Sequence, residues 1–156
     1  MSKNIFFTLI LCFLFSITTL SQSKIIEDFM KENSSKDGIT FINIDEETLE
    51  MLSKGKSKEK IPPTYDIYQS LFIEKTKDNN IEVLDVYAYF TQRIIDLNYE
   101  QYESTDKGNK LQTHYQKEIN PSCYESYLLT LNKKKNSLVI LHTRGNKKIK
   151  SIKTDY

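Results

Sequence analysis

The sequence predicts an α+β fold, in which a mainly antiparallel sheet has two or three helices packed on one face. Residues 24–33 place apolar side chains at the spacing of an amphipathic helix. In the C-terminal half, two pairs of segments rich in β-branched and aromatic residues are each joined by a short polar turn, at 106–109 and 133–136. Runs of helices and strands in this order are typical of α+β domains.

The first 23 residues have the layout of a signal peptide. Lys3 supplies one positive charge, residues 5–15 are almost wholly apolar, and residues 21–23 (Ser-Gln-Ser) form a polar exit with small side chains. The apolar run is too short to cross a bilayer as a helix of the mature protein. We therefore expect an exported protein, periplasmic or secreted, with no transmembrane segment after processing. Residues 24–156 are predicted to form a single domain.

The first elements of this domain follow from hydrophobic spacing and turn chemistry. After the helix at 24–33, the segment Ile39–Ile44 is rich in β-branched residues and predicts a strand. Asp45 is suited to cap a second helix that carries Leu49 and Leu52 on its apolar face. The lysine-rich segment 54–60 has no apolar residue, and we expect a mobile surface loop there.

The middle of the chain alternates between helical and extended patterns. Residues 64–77 place Tyr65, Tyr68, Leu71 and Phe72 on one helical face, so this spacing predicts a helix. Residues 81–87 are dominated by β-branched side chains and predict a strand. Residues 89–96 are predicted to form another helix.

The C-terminal half predicts two hairpins. The strands 99–105 and 110–117 flank the turn 106–109, which contains the glycine that such turns favour. The strands 124–132 and 137–144 flank the charged turn 133–136. Because the last two strands are apolar on both faces, we expect them at the centre of the sheet.

Charge is distributed unevenly along the chain. Residues 24–52 hold eight acidic side chains against three lysines, whereas residues 133–156 hold eight basic side chains against Asp155. Such a chain either pairs its ends internally or offers the basic end to an anionic partner. An envelope protein or an anionic glycan would suit an exported protein, nucleic acid would not, and a homodimer is a further possibility. The predicted binding residues are Lys133, Lys134, Lys135, Arg144, Lys147 and Lys148.

Residues suited to catalysis are few. Cys12 lies in the signal, so Cys123 is the sole cysteine of the mature chain and cannot form an intramolecular disulfide. Cys123 and His142 are the only catalytic candidates, because a nucleophilic thiol needs a nearby base. His114 is predicted to face water. The sequence has no motif with metal-ligand spacing and no glycine-rich loop, so neither a metal nor a cofactor is expected.

These observations leave three hypotheses for function. The leading one is an exported, non-enzymatic interaction module that binds through its basic end. The alternatives are a small thiol-dependent or hydrolytic enzyme and a purely structural protein of the cell envelope.

The order of the elements also resembles a known family. The resemblance is carried by the export signal, by Ser35-Lys36-Asp37-Gly38 with the strand that follows it, and by the later segments 99–104, 124–131 and 138–141. The whole is similar to small exported proteins of Gram-negative bacteria known as domain of unknown function 4252. This resemblance implies a compact α+β domain beyond the inner membrane and supplies no catalytic residues. The chain departs from the family pattern in its lysine-rich segment 54–60 and in Pro62-Pro63.

Overall fold

A computed structural model of the protein describes residues 24–45, 47, 48 and 65–145. These residues belong to two compact units, of which the first ends at Ser34 and the second begins at Ser35. Within the described ranges, no helix has the length and apolar character needed to cross a membrane.

The described part of the first unit is the helix α1, Lys24–Asn33, as predicted from its spacing. Its buried residues are Ile25, Ile26 and Phe29, which share one helical face. The helix ends with a hydrogen bond of 2.8 Å from the Asn33 side-chain amide to the carbonyl of Phe29. That contact satisfies one of the carbonyl groups left unpaired in the last turn.

The second unit is built on a six-stranded sheet in which every neighbouring pair is antiparallel. A helix, α2, lies between the second and third strands in the chain and spans Val83–Asp96. This architecture confirms the α+β class with a mainly antiparallel sheet. The strands are β1 Ile39–Ile44, β2 Tyr65–Glu74, β3 Glu100–Asp106, β4 Lys110–Asn120, β5 Cys123–Asn132 and β6 Ser137–Gly145.

The strand order across the sheet is β1-β2-β6-β5-β4-β3. The strands β5 and β6 therefore lie at the centre, as their apolar character on both faces predicts. Both hairpins form at the predicted turns. Gly108 and Asn136 adopt positive φ values of 73° and 48°, a conformation that glycine and asparagine tolerate better than other residues.

The segment predicted as a helix at 64–77 is instead the strand β2. Its buried residues alternate as Gln69, Leu71 and Ile73, which is the period of a strand. The large side chains of Tyr68 and Phe72 lie on the opposite face, and together with Leu71 they imitate helical spacing. The polar residue Gln69 in the buried series hides the alternation.

The strand predicted at 81–87 is also wrong, because α2 begins at Val83. The buried residues Val83, Phe90 and Ile94 recur at intervals of seven and four, which places them on one helical face. β-branched content misled the prediction here, since tertiary packing overrides strand propensity. The helix predicted at 89–96 is confirmed.

The cap predicted at Asp45 is present. The Asp45 carboxylate accepts a hydrogen bond of 2.8 Å from the backbone N–H of Thr48. Hydrogen bonding to the Thr48 side chain, and then to its backbone, lowers the pKa of Asp45. Leu49, Leu52 and the predicted loop 54–60 lie outside the described residues.

The core of the second unit lies on the sheet face that carries Leu71, Leu129 and Ile140, all fully buried. The cross-strand register aligns these three residues on neighbouring strands. The helix α2 contacts β5 and β6. The Tyr87 hydroxyl lies 2.9 Å from Oγ1 of Thr113, which occupies the same face.

Candidate anion-binding surface and a buried polar cluster

The two hairpin turns, 106–109 and 133–136, lie side by side because β4 and β5 are paired neighbours. The backbone N–H of Lys133 donates a hydrogen bond of 2.8 Å to the carbonyl of Asn109. The Lys133 ammonium lies 3.2 Å from Oδ2 of Asp106. These contacts join the two tips into one continuous surface.

This surface concentrates positive charge. It holds five lysines and one aspartate, which gives a formal charge of +4. All of these side chains are exposed except that of Lys110, which is half-buried. The ion pair between Lys133 and Asp106 is itself exposed and stabilises the fold little. We call this set the tip cluster: Asp106, Lys107, Lys110, Lys133, Lys134 and Lys135.

The tip cluster contains the three lysines of the second turn that were predicted from the sequence, and also Lys107 and Lys110, which were not. Those two residues belong to the first hairpin, and they join the cluster only because β4 pairs with β5. Two predicted hairpins that are adjacent in sequence commonly neighbour each other in a sheet, and this signal could have found them.

Among the remaining predicted binding residues, Arg144 does not join the tip cluster. Arg144 lies near the far end of β6, seven residues beyond Ser137, or about 23 Å along the strand. It is paired across the sheet with Glu125. Lys147 and Lys148 lie outside the described residues.

A second feature is a buried polar cluster centred on His142, on the same sheet face as the apolar core. The imidazole Nδ1 lies 2.9 Å from Oε1 of Gln69, and Nε2 lies 2.7 Å from Oε1 of Glu125. The imidazole ring also stacks on Tyr127, with ring centroids 4.2 Å apart. All four residues lie in neighbouring positions of β2, β6 and β5.

The burial of this cluster is almost complete. His142 and Glu125 have no exposed surface, and Gln69 is 5% exposed. Each imidazole nitrogen has a polar partner, with Gln69 beside Nδ1 and Glu125 beside Nε2. These contacts compensate for the removal of the imidazole from water.

Tyr99 covers the cluster at the end of the sheet that lies opposite the tips. Its ring meets that of Tyr127 edge-on at 5.2 Å, and the Lys117 ammonium lies 5.5 Å from the Tyr99 ring centroid. Burial raises the pKa of Tyr99, and the Glu125 carboxylate raises it further, whereas Arg144 opposes the shift. Among the described residues, the Tyr99 hydroxyl and Oε2 of Glu125 have no hydrogen-bond partner of normal geometry.

The chemistry available to this cluster is limited. Cys123 is a buried free thiol at the start of β5, whereas the residue of β5 paired with His142 is Tyr127. Four residues of strand separate Cys123 from Tyr127, or about 13 Å. The structure therefore does not bring the two catalytic candidates together. No group of three histidine, cysteine, aspartate or glutamate side chains in the described part of the chain could hold a metal ion.

His114 also differs from its prediction. It lies on the sheet face opposite Thr113 and Tyr115, as strand alternation predicts, but it is only 5% exposed. The ring of Tyr102 packs edge-on against it with centroids 5.4 Å apart. Tyr102 lies in a bulge of β3, between Gln101 and Glu103, where the register with β4 shifts beside His114. Its ring therefore shields the imidazole from water.

No protein family, curated protein or solved structure matches this chain. The resemblance to the exported family remains a prediction from the sequence.

Proposed function

We propose that this protein is an exported, non-enzymatic interaction module that binds an anionic glycan of the cell envelope through the tip cluster. The observation that carries this proposal is the joining of two hairpin tips into one surface with five lysines and one aspartate. A multivalent positive surface raises the local concentration of polyanions and accelerates their association.

The composition of the tips favours a glycan over a protein partner. The two turns read Asp-Lys-Gly-Asn and Lys-Lys-Lys-Asn and contain no apolar or aromatic side chain. Protein interfaces usually have an apolar core with aromatic anchors, which these turns lack. Lysine offers a mobile point charge instead of a planar fork, and this suits contact with several spaced anionic groups.

The proposal also includes features predicted from the sequence. The N-terminal 23 residues support export, and the order of elements supports the resemblance to small exported proteins of Gram-negative bacteria. The prediction that two or three helices pack on one face of the sheet is supported by the contacts of α2 with β5 and β6. None of these features requires a catalytic group.

The direct test measures binding of the purified protein to an acidic polysaccharide such as alginate, at low and at high salt. We expect Lys134→Glu with Lys135→Glu to weaken binding about tenfold or more, because each reversal removes an attraction and adds a repulsion. The matched control carries the same charge change at Lys24 and Arg93, two exposed residues on α1 and α2. It should bind within about twofold of the wild type.

The salt dependence separates charge-driven binding from other kinds. Wild-type binding should weaken as salt rises, since exposed charges are screened beyond a Debye length of about 8 Å at physiological ionic strength. Equal losses of affinity in the tip variant and in the control would show that binding depends only on the net charge of the protein and not on the tip cluster. Binding to an acidic protein but to no polysaccharide would indicate that the partner is an envelope protein and not a glycan.

A further inference from the structure

The two edges of the six-stranded sheet are β1 and β3. Within the described ranges, no strand pairs with the outer side of either one. An edge strand presents unpaired N–H and C=O groups that another strand can satisfy. The two edges differ in the features that prevent such pairing.

The edge at β3 is protected against pairing. It carries three carboxylates within seven residues, at Glu100, Glu103 and Asp106, and all three are exposed. A bulge between Gln101 and Glu103 interrupts its register with β4. Charged side chains and bulges are the usual means by which sheet edges avoid association.

The edge at β1 has none of these protections. Its six residues, Ile-Thr-Phe-Ile-Asn-Ile, include no charge and no proline, and all six pair with β2 without a register shift. Thr40 and Asn43 are exposed, and Ile42 is 50% exposed. Among the described residues, the strand therefore combines high β-propensity with an unpaired, regular and uncharged edge.

From this contrast we infer that β1 pairs antiparallel with β1 of a second copy, so that the two sheets form one continuous sheet in a two-fold symmetric dimer. In such a pairing each residue lies opposite itself or a residue from the same six. Because the strand is uncharged, no like charges meet, whereas the same pairing of β3 would bring carboxylates together.

The asymmetry of the edges also explains why assembly would stop at two copies. Pairing of β1 with β1 uses the open edge of both copies and leaves β3 at each end of the combined sheet. Head-to-tail pairing of β1 with β3 would instead continue without limit, and the bulge and carboxylates of β3 oppose it. In the dimer the two tip clusters lie at opposite ends of the sheet, because each tip adjoins the Ile39 end of its own β1.

The experiment compares the oligomeric state of three full-length proteins by sedimentation velocity over a concentration series. The variants are Ile42→Lys, on the open edge, and Gln101→Lys, which places the same side chain at an exposed position of the protected edge. We expect the wild type and Gln101→Lys to dimerise and Ile42→Lys to sediment as a monomer. Circular dichroism of each protein shows whether it is folded.

Hydrogen exchange of the wild type gives an independent reading should Ile42→Lys fail to fold. Amides of β1 should become protected as concentration rises, whereas those of β3 should not change. A wild type that stays monomeric at all concentrations would overturn the inference. So would a dimer that survives Ile42→Lys in folded form, a dimer lost equally with Gln101→Lys, or an open-ended series of larger species.

Discussion

Nε2 of His142 lies 2.7 Å from Oε1 of Glu125, and neither side chain has any exposed surface. The two residues come from β5 and β6, the two central strands of the sheet. A buried pair of this kind adds little stability relative to apolar residues of similar size. It nevertheless makes the fold depend on both partners at once, because either one alone would be buried without compensation.

The first prediction concerns the removal of one partner. Glu125→Ala leaves Nε2 of His142 without its acceptor, and we expect the free energy of unfolding to fall by about 3 kcal/mol or more. Urea denaturation followed by circular dichroism measures this loss. The triple variant Gln69→Leu, Glu125→Leu and His142→Phe removes all three polar groups of the cluster and retains a ring against Tyr127, so it should be more stable than Glu125→Ala. A triple variant less stable than Glu125→Ala would contradict the dependence of the fold on the buried pair.

The second prediction compares two glycines that share one backbone conformation. Gly38 and Gly108 have φ values of 77° and 73°, so alanine at either position is strained by about 1 kcal/mol. At Gly38 a Cβ atom would also lie 2.5 Å from the carbonyl oxygen of Glu74 and 2.7 Å from Nδ2 of Asn79, whereas at Gly108 it would meet nothing within 4 Å.

That difference should appear directly in stability. The Asn79 amide donates to the carbonyls of Asp37 and Glu74 at 2.8 and 3.0 Å, so it is held in place and cannot move aside without losing these bonds. We expect Gly38→Ala to cost roughly 2 kcal/mol more than Gly108→Ala, the usual scale of overpacking. Thermal unfolding of the two variants measures the difference. Equal losses of stability in the two variants would show that the segment around Asn79 moves aside at no cost.

The C-terminal half of the fold could be predicted because its signals are local. The two hairpin turns, 106–109 and 133–136, contain the polar residues and the glycine that such turns require, and the apolar strands beside the second turn indicate a central position. Each signal lies within about ten residues of chain. Nothing distant is needed to interpret it.

The secondary structure of the first half was harder to predict because contacts between distant residues determine it. Gln69 can be buried in β2 because its side chain lies within hydrogen-bonding distance of His142 on another strand. This polar residue in the buried series hides the alternation of β2. Val83 and Val86 favour a strand locally but begin a helix that contacts β5 and β6. Lys107 and Lys110 belong to the tip cluster through strand pairing, which a linear charge count does not reveal.

The third prediction concerns the thiol of Cys123. It is 6% exposed, and the register of β5 and β6 separates it from His142, the base predicted for it. We expect iodoacetamide to label Cys123 in the folded protein at least about tenfold more slowly than in urea, since a buried structural thiol reacts only when the fold opens. Mass spectrometry of quenched samples measures both rates. Folded-state labelling faster than that of a free thiol would restore the thiol-enzyme hypothesis.

The last prediction concerns pH and His114. Burial lowers the pKa of His114 below its ordinary value of 6.5, and the nearby Glu103 carboxylate opposes this shift only in part. The unfolded chain therefore binds more protons than the folded one as pH falls below 6.5, so this contribution to stability is present above that pH and is lost below it. Urea denaturation at about pH 7.5 and about pH 5 measures the loss.

Two variants isolate the histidine from the other groups that titrate in this range. His114→Gln cannot take up a proton, so its stability should fall less between the two pH values than that of the wild type. Glu103→Gln removes the carboxylate that raises the pKa of His114, so its stability should fall more steeply. Identical pH dependence in the wild type and in His114→Gln would mean that the folded protein protonates His114 as readily as the unfolded chain does, and that Tyr102 does not shield the ring from water.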